Sequence, residues 1–216
     1  MVVAGGSGTR MGSEIPKQFL ELSGVPILQR TIERFVEAEP GIKVVTVLPE
    51  ASRPLWEELC ARHGMNVPQI IAPGGFTRFH SVRNALAKVP DGALVAVHDG
   101  VRPLVSAALI QRMFREMASA RALVPVLPVT DTLRNADPAG ADPDRSRIVA
   151  VQTPQVFLSE ELKAAYGSLG FSTAFTDDAS VAKAYGIPLT YTAGERYNIK
   201  ITTPEDLSLA RLLLTL

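Results

Sequence analysis

The sequence predicts an α/β fold: a mostly parallel sheet flanked by helices, with one β-hairpin arm leaving the domain. Three observations carry that prediction. Apolar runs of strand length alternate with stretches of helical periodicity, the pattern of a parallel sheet whose crossovers are helices. The first run, Val2-Val3-Ala4, breaks directly into glycines, as a buried strand does where it meets a loop that must pass close to a ligand. Residues from about Thr130 to Thr153 leave the alternation, with two β-like stretches around a polar, turn-rich centre.

With 216 residues the chain is read as a single domain over 1–216, its arm at about 130–153, long enough to bury a substantial core. Its 22 Lys and Arg balance 22 Asp and Glu, so it lacks the basic field of a nucleic-acid binder, and a small-molecule partner is expected. The single cysteine, Cys60, excludes an internal disulfide and fits a reducing compartment. No signal-peptide pattern opens the chain, and Pro125 and Pro128 interrupt its longest apolar runs. A cytoplasmic protein with no membrane partner is therefore expected. The first strand begins almost at Met1, so it is expected to be short or to have residues before it.

Taken in order, Pro26-Ile27-Leu28 opens a helix with proline in its first turn, and Leu28, Ile32, Phe35 and Val36 share one face. Val44 to Leu48 is a buried strand ended by Pro49. Ser52 is expected to cap a helix to about Ala61 that turns Trp56 and Leu59 inward. A strand follows at Val67 to Ile71, then a glycine turn at Ala72-Pro73-Gly74-Gly75. A helix from Thr77 carries Val82, Leu86 and Val89, with Arg78, His80 and Ser81 at its start, where free N–H groups and the helix dipole favour an anion. Ala93 to Val97 is a central strand ending in His98-Asp99-Gly100-Val101-Arg102-Pro103, and the carboxyl ends of such strands are where open α/β sheets bind ligands. Ser106 caps the next helix, and Leu123 to Val129 forms another strand. The arm cannot bury itself alone, so it is expected to pack on a second subunit. Beyond it come Thr176-Asp177-Asp178, a strand at Leu189 to Thr192, Asn198-Ile199-Lys200, and a last helix whose start, Thr203-Pro204-Glu205-Asp206, supplies cap, proline and acidic first turn.

The opening stretch, Val2 to Gly12 with Pro16-Lys17-Gln18, organises the rest. Lys17 follows proline rather than the glycine of a P-loop, and Gly6, Gly8 and Gly12 do not have dinucleotide-fingerprint spacing. Glycine N–H groups with Arg10, a rigid guanidinium fork, and Lys17, a flexible point charge, suit a triphosphate. His63, His80 and His98 are scattered and lack zinc spacing. Asp99 at its strand end is a candidate magnesium carboxylate. His98 reads as a packing neighbour rather than a base, and no serine–histidine or cysteine–histidine pair is evident. A phosphomonoester needs no strong protein base, because its second pKa is about 6 and its oxygen is already nucleophilic at neutral pH. Nucleotidyl transfer to that oxygen asks for positioning and charge neutralisation.

These residues carry a resemblance. Ala4-Gly5-Gly6-Ser7-Gly8-Thr9-Arg10-Met11-Gly12 with Pro16-Lys17-Gln18-Phe19-Leu20 resembles the signature loop of nucleoside-triphosphate transferases. Gly74-Gly75-x-x-Arg78-x-x-Ser81-Val82, His98-Asp99-x-x-Arg102-Pro103, Asp131-Thr132, Gln152-Thr153-Pro154-Gln155-Val156-Phe157, Thr176-Asp177-Asp178-Ala179 and Asn198-Ile199-Lys200-Ile201-Thr202 are similar, in order, to the motifs of the 2-C-methyl-D-erythritol 4-phosphate cytidylyltransferase family. The likeness spans nearly the whole chain.

The resemblance implies a Rossmann-like fold of the nucleotide-diphospho-sugar transferase type. It also implies transfer of a cytidylyl group from CTP to methylerythritol phosphate, with magnesium as cofactor, in the non-mevalonate isoprenoid pathway. By it, Arg10, Lys17, Arg145 and Lys200 would be catalytic. Ala4, Gly5, Gly6, Gly8, Thr9, Gly75, Arg78, Ser81 and Asp99 would bind CTP, Asp99 beside the metal. Arg102, Thr132, Arg145, Thr176 and Lys200 would hold the acceptor. The arm would be exchanged in a homodimer, bringing Thr132 and Arg145 to the neighbour's site. The competing readings are a ribitol 5-phosphate cytidylyltransferase and a nucleotide-binding module without turnover.

Overall fold

The first apolar run forms a strand of only two residues, β1 (Val2–Val3), yet that strand lies at the middle of the sheet. The structure, a computed structural model, describes residues 1–6 and 15–215. A small hairpin, β2 (Glu21–Leu22) and β3 (Val25–Pro26), turns at Ser23 and Gly24, both with positive φ, and leads into α1 (Ile27–Ala38). Then follow β4 (Val44–Leu48), α2 (Arg53–Arg62), β5 (Gln69–Pro73), α3 (Arg78–Leu86), β6 (Leu94–Asp99) and α4 (Ala107–Glu116). The second half consists of β7 (Ala122–Pro128), β8 (Val149–Val151), β9 (Gln155–Leu158), α5 (Ser159–Ser168), α6 (Asp178–Tyr185), β10 (Leu189–Ala193) and α7 (Pro204–Leu213).

The sheet order is β10-β7-β9-β6-β1-β4-β5, with β8 paired to β7. β1 is parallel to β4 on one side and to β6 on the other, so chain order reverses direction across it. Such a switch point opens a crevice at the carboxyl ends of the strands. β9 runs antiparallel to both β6 and β7. Its first residue, Gln155, therefore stands at the same end of the sheet as Asp99, the last residue of β6.

Alternation along the strands divides the core between the two faces. Ala96 of β6 packs with Phe35, Ile110 and Met113 from α1 and α4, whereas Val95 and Val97 pack with Phe79, Leu162 and Val181 from α3, α5 and α6. Trp56 and Leu59 of α2 are buried as expected.

Several local readings shift. The Ser52 side chain makes no capping bond, its backbone already being helical at the end of a short 3-10 turn. The fifth strand lies two residues later than expected and takes in Ala72 and Pro73, leaving Gly74-Gly75 alone as the turn. Thr77 caps α3 by accepting from His80 N, and Val89 lies past the helix end. In the arm, β8 pairs antiparallel with the end of β7, but Asp131 to Arg134 forms no strand. The backbone there is taken up instead by side-chain turns, Asp142 accepting from Asn135 N and Asn135 from Asp137 N, each at 3.0 Å. Residues 141–151 are exposed throughout.

Candidate active site

The site lies along the carboxyl ends of β1, β5 and β6. Ala4, Gly5 and Gly6 follow β1, and the buried Gln18 ties them down: its Nε2 donates to Ala4 O at 2.9 Å and to Gly6 O at 3.3 Å. Opposite, Gly75 N donates to Ser81 Oγ at 2.9 Å, and Ser81 Oγ donates in turn to Thr77 O at 2.9 Å. A Cβ on Gly75 would come 2.4 Å from His80 Cβ, so the turn is pressed against α3 and requires glycine.

Asp99 forms the centre. Lys200 Nζ is 3.0 Å and Arg102 Nε 3.3 Å from its Oδ2, and Arg78 Nε is 4.0 Å from its Oδ1. Burial would raise this carboxyl, but Lys200, Arg78 and Arg102 together hold it well below the usual carboxylate range. Arg78 also donates to Asp178 at 2.5 Å, and Asp178, fully buried, accepts from Tyr166 Oη at 2.7 Å. Burial alone would lower Arg78, yet Asp178 and Asp99 hold it above its ordinary value, so it is a fixed cation.

A buried polar frame keeps this cluster in place. Asn198 Nδ2 donates to Thr153 O and Arg102 Nη1 to Asn198 O, both at 2.7 Å. Thr153 Oγ1 accepts from Asp99 N at 3.1 Å and lies 3.0 Å from His98 Nδ1. Gln155 Nε2 donates to Asp177 Oδ2 at 2.7 Å while its Oε1 accepts from Ala179 N at 2.8 Å. Burial pushes the His98 imidazole down to about 3, so it is neutral. With both ring nitrogens engaged by Thr153 and Arg102 O, His98 supports the strand end, as its sequence position indicated.

Two cavities open from the cluster. One, of about 510 Å³, is lined by Ala4, Gly5, Gly6, Lys17, Gly75 and Ser81 among others; the second, of about 390 Å³, by Arg102, Thr153, Thr176, Asp177, Lys183 and Tyr191 among others. Arg78, Asp99 and Lys200 line both. The structure thus brings together Lys17 and the described triphosphate-loop residues in one cavity, and Arg102 and Thr176 in the other. Gly8, Thr9 and Arg10 lie outside the described residues. Thr132 and Arg145 line neither cavity; they are exposed on the arm, where Arg145 Nη1 donates to Thr130 O at 2.8 Å.

Sequence reasoning does not single out Gln18, Gln155, Asp178, Thr153 and Asn198 as site residues. Each belongs to a motif segment, and the available signal is a polar side chain next to an apolar run with no local turn to satisfy it. Among the described residues no cluster of three or more His, Cys, Asp or Glu side chains could hold a metal. Asp99 is ionised, and its Oδ1 has only Arg78 near it, at 4.0 Å, among the cations paired above. One such carboxylate fits magnesium when substrate phosphates supply further ligands.

The model of a family described as IspD, 2-C-methyl-D-erythritol 4-phosphate cytidylyltransferase, matches residues 1–216. The protein of that name from Bacteroides fragilis is 47% identical over 215 residues, covering 99% of this chain and 98% of that protein. The one from Porphyromonas gingivalis strain ATCC 33277 is 49% identical over 217 residues, covering 100% and 96%. The crystal structure of 2-C-methyl-D-erythritol 4-phosphate cytidylyltransferase from Thermus thermophilus superposes with a TM-score of 0.77 at 32% identity, covering 100% of this chain and 98% of that one.

Proposed function

The chain belongs to the 2-C-methyl-D-erythritol 4-phosphate cytidylyltransferase family, and from that premise we propose how its residues divide the work. The reaction transfers a cytidylyl group from CTP to methylerythritol phosphate, giving 4-diphosphocytidyl-2-C-methyl-D-erythritol and pyrophosphate, a step of non-mevalonate isoprenoid precursor synthesis. One observation carries the assignment of roles: two cavities meet at Arg78, Asp99 and Lys200. A transfer between two bound phosphates needs two adjoining pockets with cations at the junction, where charge develops.

In this reading the larger cavity takes CTP, its triphosphate held by the backbone N–H groups of Gly5 and Gly6 and by Lys17 and Arg10. The smaller takes the acceptor, held by Arg102, Thr176 and Lys200. An acceptor phosphate oxygen attacks the α-phosphorus; the new P–O bond forms as the bond to the β-phosphate bridging oxygen breaks, and pyrophosphate leaves. Lys17 and Arg10 stabilise the charge growing on the leaving group. No protein base is required, because the acceptor is already largely a dianion at neutral pH. Asp99 is the residue that would hold magnesium together with the phosphates, and the ion, when bound, neutralises triphosphate charge.

Thr132 and Arg145 would complete the acceptor site of a second subunit. The arm's support for this is its shape: residues 141–151 are exposed, and Ile148, Val149 and Val151 keep more than a third of their surface open to solvent. A homodimer with exchanged arms would bury these side chains and bring Arg145 to the neighbour's acceptor. A cytoplasmic location fits a nucleotide substrate and the free thiol of Cys60, and no helix among the described residues is long and apolar enough to cross a membrane.

The deciding experiment supplies purified protein with CTP, magnesium and either methylerythritol phosphate or ribitol 5-phosphate, and follows pyrophosphate. Release with methylerythritol phosphate is expected. Release only with ribitol phosphate would transfer the protein to the other acceptor, and CTP binding without release from either would make it a sensor.

A further inference from the structure

We propose that Phe76 is the platform against which the pyrimidine ring of CTP packs, a role resting on the reading of the larger cavity as the CTP site. Phe76 is 101% exposed, the extreme among the exposed large apolar side chains. It nevertheless lines the larger cavity, and among the described lining residues it is the sole aromatic one.

The backbone on either side of Phe76 is fixed. Gly75 is pressed on His80 and donates to Ser81 Oγ, and Thr77 caps α3 and has its Oγ1 2.8 Å from His80 Nδ1. A turn held at both neighbours presents the phenyl ring from a defined point, with the His80 ring nearly perpendicular to it at 6.4 Å between ring centres. The rest of that cavity divides by chemistry. Lys17, Arg78 and Lys200, with the N–H groups of Gly5 and Gly6, suit phosphate oxygens. A nucleoside triphosphate has one planar, weakly hydrated part, the base, and among the described lining residues the phenyl face of Phe76 is the planar surface that matches it. Covering the ring on nucleotide binding would remove apolar area from water that the free protein leaves exposed.

The test is calorimetric titration of wild type, Phe76→Ala and Phe76→Trp with CTP and, separately, with inorganic tripolyphosphate. Stacking of one base on an aromatic ring predicts that Phe76→Ala weakens CTP by about five-fold or more. Tripolyphosphate should bind wild type and Phe76→Ala alike. Phe76→Trp should restore CTP affinity and show a fluorescence change on CTP addition but none on tripolyphosphate. In turnover, the Phe76→Ala loss should fall on KM for CTP rather than on kcat or on KM for the acceptor. Equal weakening of CTP and tripolyphosphate, or no weakening of CTP, would overturn the assignment. Failure of the underlying reading would show separately, as wild-type protein that binds CTP and releases no pyrophosphate.

Discussion

Lys200 Nζ lies 3.0 Å from Asp99 Oδ2, although Lys200 follows the last strand of the sheet and Asp99 ends a strand at its middle. The pair lines both cavities, so this carboxylate stands among the cations that two bound phosphates would share. Without substrate, Asp99 offsets the mutual repulsion of Arg78, Arg102 and Lys200, while Asp178 also pairs with Arg78 and Asn198 O with Arg102.

Asp99→Asn should therefore destabilise the protein. Removing one partner from a buried ion cluster costs roughly 3–5 kcal/mol, and Lys200, with its side chain 43% exposed, can relax into water, which places the cost near the lower end, about 3 kcal/mol. Asp99 has a lowered folded pKa, so its contribution is present above the unfolded value of about 4 and is lost as pH falls through the folded one. Urea midpoints of wild type and variant should differ by a constant amount above about pH 5 and converge below about pH 4. A difference that grew in acid would contradict this balance of charges.

Gly75→Ala should damage both stability and nucleotide binding. The added Cβ would meet His80 Cβ at 2.4 Å and the His80 carbonyl carbon at 3.0 Å, so helix backbone must move. Overpacking of this kind costs about 1–3 kcal/mol. A denaturant titration should show that loss, and CTP affinity should fall because Gly75 N and Ser81 are displaced together. Gly6→Ala is the control: its Cβ meets nothing among the described residues within 4 Å, and stability should hold.

How far the chain could be read in advance depended on whether a signal was local. The start of α7 was legible because Thr203, Pro204 and Asp206 act on one another: Thr203 Oγ1 accepts from Asp206 N at 3.3 Å and Asp206 Oδ2 from Thr203 N at 2.9 Å. Asp177 and Asp178 are adjacent and chemically identical, but Asp177 caps its own helix through Ser180 N while Asp178 is buried against Arg78, 100 residues away. No pattern of neighbours separates those fates. Strand β9 escaped notice for the same reason, since Gln155 at its start is polar and becomes a core residue only because Asp177 and Ala179 arrive to satisfy its amide. Gly5, Gly6 and the strand-end Asp99 were legible as a candidate site because each sits at a strand terminus, where this topology opens a crevice.

Tyr166 gives a test in alkali. Its hydroxyl is buried and donates to Asp178, and burial with the Asp178 charge raises it above its ordinary value. A raised folded pKa means that the stabilisation is complete below the unfolded value of about 10 and declines as pH rises beyond it, because the unfolded chain ionises first. Wild type should lose about 1.4 kcal/mol per pH unit above pH 10 from this group, and Tyr166→Phe should lack that component of the slope. At pH 7 the variant should be less stable by about 1–3 kcal/mol, since Asp178 Oδ1 loses its donor in a buried setting. Parallel slopes above pH 10 would show that the hydroxyl ionises freely in the folded protein.

Arm exchange can be tested by mixing subunits. Lys17 lines the larger cavity, whereas Arg145 is exposed on the arm of the same chain and lines neither cavity. If arms are exchanged, a heterodimer of Lys17→Ala and Arg145→Ala subunits concentrates both defects in one site and leaves the other site with Lys17 from one chain and Arg145 from its partner. Each homodimer should be nearly inactive, because losing one preorganised charge typically costs about 2.7–4 kcal/mol in the transition state. Co-refolded mixtures should then regain pyrophosphate release in proportion to the heterodimer fraction, measured by differently tagged subunits. With unexchanged arms every site in the mixture carries one defect, so heterodimers that form and remain inactive would place Arg145 outside the neighbour's site.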